Sequence, residues 1–497
     1  MITRTWIVAA LASAIFLCLA WRFRDHRVDD AFISYRYAQN LAAGHGLVFN
    51  PGERVEGYTN FSWVVLLALG IKLGIRPESL SMVLGVVAAS GIIAVISLAS
   101  ARLGLGPETF WVAPALLAVT PALAVWATGG LETTFYAFLL TLGVCRLAEE
   151  VEDGNPRIAT ALIFALAALT RPEGALFGGL MSMILLVQFG RSHAGRIAWA
   201  RWTGVFLVVF LSYFFWRWRY YGYLLPNTFY AKVDVGGSQL VRGLRHLAAF
   251  GTAIGSWLAL PLLGLVLIRG KAPTILAAAT VAQLVFVVIV GGDGLPMFRF
   301  FVPVLGLLFV LVAWGTDSLL TKIAASRGLR GIAAALLALA GLYAASAAFT
   351  GPQYLYVKQD EAEVAAWSEI GRWFHDHAKP TDSIGVVPAG AVPYYSELKA
   401  LDMLGLNDVT IAHTPIALGS GQAGHEKYNT AYVLERAPTY LLIGVYRLFE
   451  GPGDPLRRVT PYYPVERELI NSPEFLSRYR IRQAKAATGY FVYFERI

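Results

Sequence analysis

Phe61-Ser62-Trp63-Val64-Val65-Leu66-Leu67-Ala68-Leu69-Gly70-Ile71-Lys72-Leu73 is apolar almost throughout, yet it is only 13 residues long. A helix that crosses ~30 Å of hydrocarbon needs about 20 residues. The run is therefore read as an interfacial or re-entrant helix. That reading decides which side of a membrane every later loop faces.

Longer apolar runs flank it on both sides, and 56% of the 497 residues are hydrophobic against 15% charged. Soluble domains carry about 25% charged residues. Candidate crossings lie near 3–21, 79–98, 108–127, 131–148, 157–171, 174–190, 203–219, 247–268, 273–290, 299–316 and 332–349. The expected fold is a polytopic α-helical membrane protein with about 11 transmembrane helices plus the short helix. The stretch from Trp6 to Ala20 follows Arg4 as a signal peptide would, but it has no clear cleavage site and leads into further spans, so it is read as a retained helix.

Basic residues accumulate in short cytoplasmic loops. If Phe61 to Leu73 does not cross, one side receives Arg4, Arg102, Arg146, Arg157, Arg191, Arg196, Arg201, Arg269, Lys271, Lys322, Arg327 and Arg330. That side is the expected cytoplasm, with the N-terminus in it. The first loop (22–60), Thr128 to Thr134, Thr170 to Gly174, Tyr220 to Lys232, Gly291 to Arg299 and everything after 351 then face outward.

The net charge of +8 is unevenly distributed. Residues 352–497 hold 15 Lys and Arg against 17 Asp and Glu, leaving 26 against 16 in residues 1–351. Cations at membrane boundaries suit topology and phosphate binding rather than nucleic acid, and no nucleic-acid partner is expected. The expected division is a membrane domain at 1–351 and an extracytoplasmic α/β domain at 352–497. The latter carries β-rich runs at Ser383 to Val387, Tyr440 to Ile443 and Tyr490 to Phe494. Cys18 and Cys145 both lie in apolar runs, so neither a disulfide framework nor a thiolate metal site is supported.

The outward-facing segments carry the chemistry. The first loop reads Val28-Asp29-Asp30-Ala31-Phe32-Ile33-Ser34-Tyr35-Arg36-Tyr37-Ala38 and ends Glu56-Gly57-Tyr58-Thr59-Asn60. Adjacent carboxylates beside a membrane sit where burial perturbs a pKa, and a general base fits there. The other reading is a helix cap at Asp29 and Asp30, which explains one Asp and leaves the Gly44 to Asn60 stretch without a purpose.

Lys232 ends the aromatic loop Tyr220 to Tyr230, beside Pro226 and Asn227; it either binds an anion or snorkels to the interface. Arg299 follows the glycine-rich turn Gly291-Gly292-Asp293-Gly294, which favours a phosphate, although an Asp293–Arg299 ion pair is the competing reading. Glu132, Arg171 and Glu173 are charges next to spans, and a Glu132–Arg171 pair is expected. His45 and His425 lack metal-ligand partners at recognisable spacing, so no metal is expected there.

Asp29 to Ala38 resembles the acidic motif in the first extracytoplasmic loop of the GT-C class of polytopic glycosyltransferases. The fuller pattern is Asp29-Asp30-Ala31-Phe32, Gly57-Tyr58-Thr59-Asn60, Gly130-Leu131-Glu132-Thr133, Thr170-Arg171-Pro172-Glu173-Gly174, Leu225 to Lys232, Gly291-Gly292-Asp293, Asp402 to Asp408 and Gly424-His425. It is most similar to the bacterial branch containing the mycobacterial terminal β-(1→2)-arabinofuranosyltransferase, over nearly the whole chain.

The resemblance implies transfer of a sugar, D-arabinofuranose as the best guess, from a decaprenyl-phosphate-like donor to a hydroxyl of a cell-envelope glycan, with inversion. It implies an enzyme of the bacterial inner membrane that contacts membrane lipid and acts on the extracytoplasmic side. Asp29 would be the base, with Asp30 beside it; Lys232 and Arg299 would hold the donor phosphate. Tyr58, Asn60, Glu132, Asn227, Tyr230, Asp293 and His425 would contact sugar or acceptor. No cofactor is expected, although some members use a divalent cation. The alternatives are a transferase for a hexose or aminoarabinose, one with a protein acceptor, and a lipid-linked-sugar transporter or flippase.

Overall fold

The computed structural model describes residues 2–102, 104–233, 237–255, 259, 262, 270–323, 326–419, 421–445 and 447–497. The chain divides into two compact units, each discontinuous in sequence: residues 1–26, 81–216 and 241–355 form the first, and 27–80, 217–240 and 356–497 the second.

The first unit is helical. Among the described residues of the whole chain, six helices are long and apolar enough to cross a membrane: Thr3–Trp21, Pro77–Arg102, His193–Tyr221, Lys271–Ile289, Arg299–Lys322 and Arg327–Ala348. The chain is a multi-pass membrane protein.

Val302–Lys322 is the centre of the first unit, buried without interruption from Val302 to Thr316 and packed by Val112–Val119, Thr133–Glu152 and Lys271–Ile289. A helix apolar on every side is core or lipid-facing. Arg327–Ala348 is the second kind, with Leu336, Leu339 and Tyr343 each at least 60% exposed.

The crossing expected over 108–127 is two helices, Val112–Val119 and Pro121–Thr128. Pro121 supplies no amide to continue the first of them. After Pro121–Thr128 the chain bends by 119° into Thr133–Glu152, through Gly130 at φ +91°. Ile158–Thr170 and Glu173–Phe189 are shorter apolar helices. Most of the span expected over 247–268 lies outside the described residues.

The second unit is built on a five-stranded sheet, β1 Ser383–Val386, β2 Lys399–Asp402, β3 Tyr440–Leu441, β4 Tyr479–Lys485 and β5 Tyr490–Arg496, in the order β2-β1-β3-β5-β4. β1 runs parallel to β2 and β3; β5 is antiparallel to β3 and β4. Met403, Ile411, Val433, Leu441, Ile443, Val465, Leu469, Phe475 and Phe494 fill one core.

The helix Asp29–Ala42 belongs to this unit, and residues 31–38 are all buried. Arg36 fastens it. Its guanidinium donates to the carbonyl of Phe49 at 2.7 Å, Leu398 at 2.7 Å and Pro393, and to Asn50 Oδ1 at 3.1 Å. A planar fork with several donors can hold that many acceptors at once, which an ammonium on a flexible stem cannot.

Phe61–Lys72 packs against the same helix; at ~1.5 Å rise per residue its 12 residues span about 18 Å, short of a hydrocarbon core. Tyr37 meets Tyr58 at a tilt, and Tyr58 meets Tyr221 edge-on.

Candidate active site

The connection from β1 to the short helix Ala391–Ser396 emerges at the carboxyl end of a parallel strand, where exposed amides of α/β sheets meet ligands. Here the guest is a side chain. Gly390 N donates to Asp29 Oδ2 and Ala391 N to Asp29 Oδ1, both at 2.8 Å. Asp29 is the first residue of its helix, and its carboxyl caps none of that helix's own amides. Gly390 is required by space: a Cβ there would lie 1.9 Å from the Asp29 carbonyl oxygen and 2.6 Å from its Cγ.

Opposing forces set the Asp29 acidity. Burial of the carboxyl raises its pKa most, the amides of Ala391 and Gly390 lower it, and Asp30 and Asp402 raise it again; the result is about 7. A carboxyl poised near neutrality suits general base work. Asp402 is pushed up to about 6, mainly by burial. Its oxygens are consumed by the turn after β2: they accept from Leu404 N at 3.0 Å, Gly405 N at 3.2 Å and Asn407 N at 2.9 Å.

A third carboxyl lies within electrostatic reach. Asp360, on the helix Pro352–His377, is 7% exposed, and its Oδ2 has no hydrogen-bond partner among the described residues. Burial raises its pKa well above the ordinary carboxylate range, with Asp29, Glu363, Asp30 and Glu361 adding to the effect. Sequence reading missed it. The signal was present, because Asp360 shares the helix's buried stripe with Val357, Val364 and Trp367, three, four and seven residues away. A carboxyl on an apolar stripe calls for an explanation.

Of the other residues singled out in the sequence, Tyr58, Asn60, Asn227, Tyr230, Lys232 and His425 share this unit. Asn60 Nδ2 donates to Ser34 Oγ at 3.0 Å and the Tyr58 ring lies 4.6 Å from that of Tyr37, so both Tyr58 and Asn60 contact the helix of Asp29. Asn227 Nδ2 donates to the carbonyls of Gly405 and Leu406, both at 2.9 Å. This amide joins the Tyr220 to Lys232 loop to the turn that Asp402 holds.

Tyr230 stacks on His413 at 4.3 Å, with Tyr223 on the same ring at 5.3 Å. Gly424 leaves room for the Lys232 stem: a Cβ at this residue would lie 3.1 Å from Lys232 Cε. Among the described residues no acceptor or carboxylate holds the Lys232 ammonium. His425 stacks on Tyr463 at 5.6 Å and contacts the Ala423 carbonyl.

Glu132, Asp293 and Arg299 fall in the first unit. Arg171 pairs with Glu132 at 2.7 Å and Glu173 at 2.5 Å, as expected from charges beside spans. Arg299 Nε pairs with Asp293 Oδ2 at 2.7 Å. Phe300 unites the two groups, since the Arg171 and Arg299 guanidiniums lie 5.1 and 4.9 Å from its ring. Two cations on one ring, held by three carboxylates, make a tightly paired patch with one carboxylate in excess.

Sequence reading also missed the buried Arg217–Glu56 pair, in which Nε sits 2.9 Å from both carboxylate oxygens. Among the described residues no group of three or more His, Cys, Asp or Glu is arranged to hold a metal ion.

Known proteins share this architecture. The solved structure of ArnT from Cupriavidus metallidurans, bound to undecaprenyl phosphate, superposes with a TM-score of 0.60 at 13% identity, covering 82% of this chain and 88% of that one. The chain has the GT-C glycosyltransferase fold. Two curated proteins named terminal β-(1→2)-arabinofuranosyltransferase are also similar to it.

The Mycobacterium tuberculosis protein is 31% identical over 285 residues, 54% of this chain and 44% of that protein. The Corynebacterium glutamicum protein is 28% identical over 369 residues, 60% of this chain and 50% of that protein. The chain thus spans about half the length of the curated relatives it matches. A family model described as "Domain of unknown function (DUF8728)" matches residues 353–493, the stretch that contributes Asp360, Gly390 and Asp402.

Proposed function

We propose that the chain is a membrane glycosyltransferase that moves a sugar from a polyprenyl-phosphate donor to an acceptor hydroxyl. The observation that carries this reading is Asp29: a carboxyl aimed by two backbone amides and held at a pKa of about 7. Asp29 takes the acceptor proton as the oxygen attacks the anomeric carbon, and the lipid phosphate leaves from the opposite face, with inversion.

The departing phosphate gathers negative charge, which cations stabilise most where water is excluded. Lys232 and Arg299 are assigned that part, and Lys232 has the simpler claim because no carboxylate competes for it among the described residues. Arg299 would bind while retaining Asp293, as a second acceptor on a planar fork. Glu132, Asp293, Tyr230 and His425 are assigned to sugar or acceptor; Tyr58, Asn60 and Asn227 hold the catalytic helix and turn.

The similarity to the two proteins named arabinofuranosyltransferase supports D-arabinofuranose as the sugar; a decaprenyl-phosphate-like carrier and a cell-envelope glycan acceptor are proposed with it. In this reading the enzyme crosses the bacterial inner membrane about 11 times, with its N-terminus cytoplasmic and its active site and residues 352–497 extracytoplasmic.

Asp29→Asn tests the assignment. Purified, folded variant should lose transfer from a polyprenyl-phosphate sugar by about 10²-fold or more, as general-base removal does. Wild-type activity should rise with pH through about 7, as Asp29 loses its proton. Near-normal turnover by Asp29→Asn would remove Asp29 as the base.

A further inference from the structure

The far end of the helix Thr133–Glu152 carries charges that sugar transfer leaves unused. At ~1.5 Å rise per residue, Arg146 stands about 21 Å along the helix axis from Glu132. A cavity of about 200 Å³ lies there, lined by Arg102, Arg146 and Arg157 and by the apolar Val95, Leu98 and Leu142. All of its lining residues belong to the first unit.

Three carboxylates line the same cavity, and each already has a partner. Glu149 Oε2 pairs with Arg102 Nη1 at 3.1 Å, and Asp153 Oδ2 stands 4.0 Å from Arg157 Nη2. Glu150 accepts from Arg157 N at 2.9 Å and from Thr160 Oγ1. Arg146 is the exception. Among the described residues it makes no hydrogen bond and no ion pair, and its Nε is buried.

Two ordinary uses of an arginine beside a span do not account for it. A cation complements the helix dipole only within the last turn, and Arg146 lies six residues before the final Glu152. A snorkelling side chain keeps its charged head in water, whereas the Nε of this guanidinium is shut off from solvent.

We propose that this cavity is a phosphate-binding site, in which Arg146 holds the phosphodiester of a phospholipid headgroup and the apolar wall receives the part of the lipid next to it. A planar fork matches two oxygens of one phosphate, and with the three carboxylates engaged elsewhere the site keeps one uncompensated positive charge for a monoanion. Val95, Leu98 and Leu142 favour a lipid over free phosphate, which has nothing to bury against them. In the proposed topology Arg102, Arg146 and Arg157 all stand on the cytoplasmic side, where basic pockets between membrane helices meet anionic headgroups. The site is separate from sugar transfer and does not rest on that reading.

The test is binding to the purified full-length protein in neutral detergent, read by native mass spectrometry. The probes are dioctanoylphosphatidylglycerol, dioctanoylglycerol, which lacks the phosphate, and inorganic phosphate. Wild type should bind the phosphatidylglycerol and not the dioctanoylglycerol. Arg146→Gln should weaken phosphatidylglycerol binding about 10-fold or more, while Arg191→Gln, the same charge change at an exposed loop residue, should leave it unchanged.

Equal phosphatidylglycerol affinity in wild type and Arg146→Gln, or dioctanoylglycerol binding as tightly as phosphatidylglycerol, overturns the proposal. If inorganic phosphate binds wild type as tightly as the lipid does and loses that affinity in Arg146→Gln, the phosphate site stands and its lipid source falls. Should Arg146→Gln fail to fold, Arg146→Lys decides: it keeps the charge without the fork, so phosphatidylglycerol binding should still drop several-fold, and undiminished binding overturns the assignment.

Discussion

Asp29 is kept ionisable against its surroundings. Its folded pKa of about 7 stands above the ordinary aspartate value of 3.8, so the folded protein holds this proton more tightly than the unfolded chain does. The sign follows: the penalty is absent below the unfolded pKa, grows as pH rises towards 7 and is complete above it. Asp29→Asn removes the penalty but leaves only one oxygen for two amide donors, which returns about 1 kcal/mol.

With the residue half-buried, a net stabilisation of about 1–3 kcal/mol is expected at pH 8, shrinking as the pH falls. Thermal melts of the two proteins across pH 5–8 check this, and a variant that melts lower than wild type at pH 8 would show that Asp29 is not strained by its burial. Gain in stability with loss of turnover is the mark of a group placed for chemistry rather than for folding.

Individual residues differed in how legible they were. Asp29 and Asp30 stood out because two adjacent carboxylates beside a membrane have few structural uses. Asp360 was hidden in an ordinary amphipathic helix, where a carboxyl among Val357, Val364 and Trp367 is visible only once the buried stripe is marked out. Arg36 and the Arg217–Glu56 pair were unreadable for another reason. Their partners are distant in sequence, 357 residues away for Arg36 and Pro393 and 161 for Arg217 and Glu56, and no local pattern announces a long-range contact.

At the scale of elements, the turn between β1 and Ala391–Ser396 is the piece on which the site depends. Gly390 keeps a negative φ of −96°, so its backbone places no special demand on glycine; the close approach of Asp29 does. Gly390→Ala would drive a methyl into the Asp29 backbone and carboxyl, and the buried helix Asp29–Ala42, held by Arg36, has little room to retreat.

Displacement of a catalytic group by ~1 Å costs about 10²-fold in rate. Gly390→Ala should therefore lower kcat by that order with donor KM little changed, and unchanged kcat would show that the amide cradle does not position the base.

Strands β1, β3 and β5 stand at the β-rich runs noted in the sequence, because their residues bury apolar side chains in alternation or continuously. β2 and β4 gave no such signal: β2 is four residues long, and β4, Tyr-Arg-Ile-Arg-Gln-Ala-Lys, is a charged edge strand whose exposure guards the sheet from unwanted pairing. The break at Pro121 is legible as a proline, but the longer apolar run around it reads as a single span.

Across the whole molecule, charge placement and helix length make one argument. Phe61–Lys72 is too short to span, while Pro77–Arg102, with 26 residues, is long enough with some tilt. Counting from that start, 12 of the 26 Lys and Arg in residues 1–351 fall in one set of short loops, which includes Arg191, Arg196, Arg201, Lys322, Arg327 and Arg330. Were Phe61–Lys72 to cross, all of those loops after it would move to the outer face, against the strong bias that retains Lys and Arg in the cytoplasm.

The expectation is then specific. A reporter fused after Arg327 should read cytoplasmic and one fused after Gly351 extracytoplasmic, with Arg327–Ala348 crossing between them at 22 residues and exposing Leu336, Leu339 and Tyr343 to lipid. An extracytoplasmic reading after Arg327 would invert the scheme. It would place Asp29 on the inner side while leaving every distance around its carboxyl unchanged, so the donor, rather than the base, would have to be reconsidered.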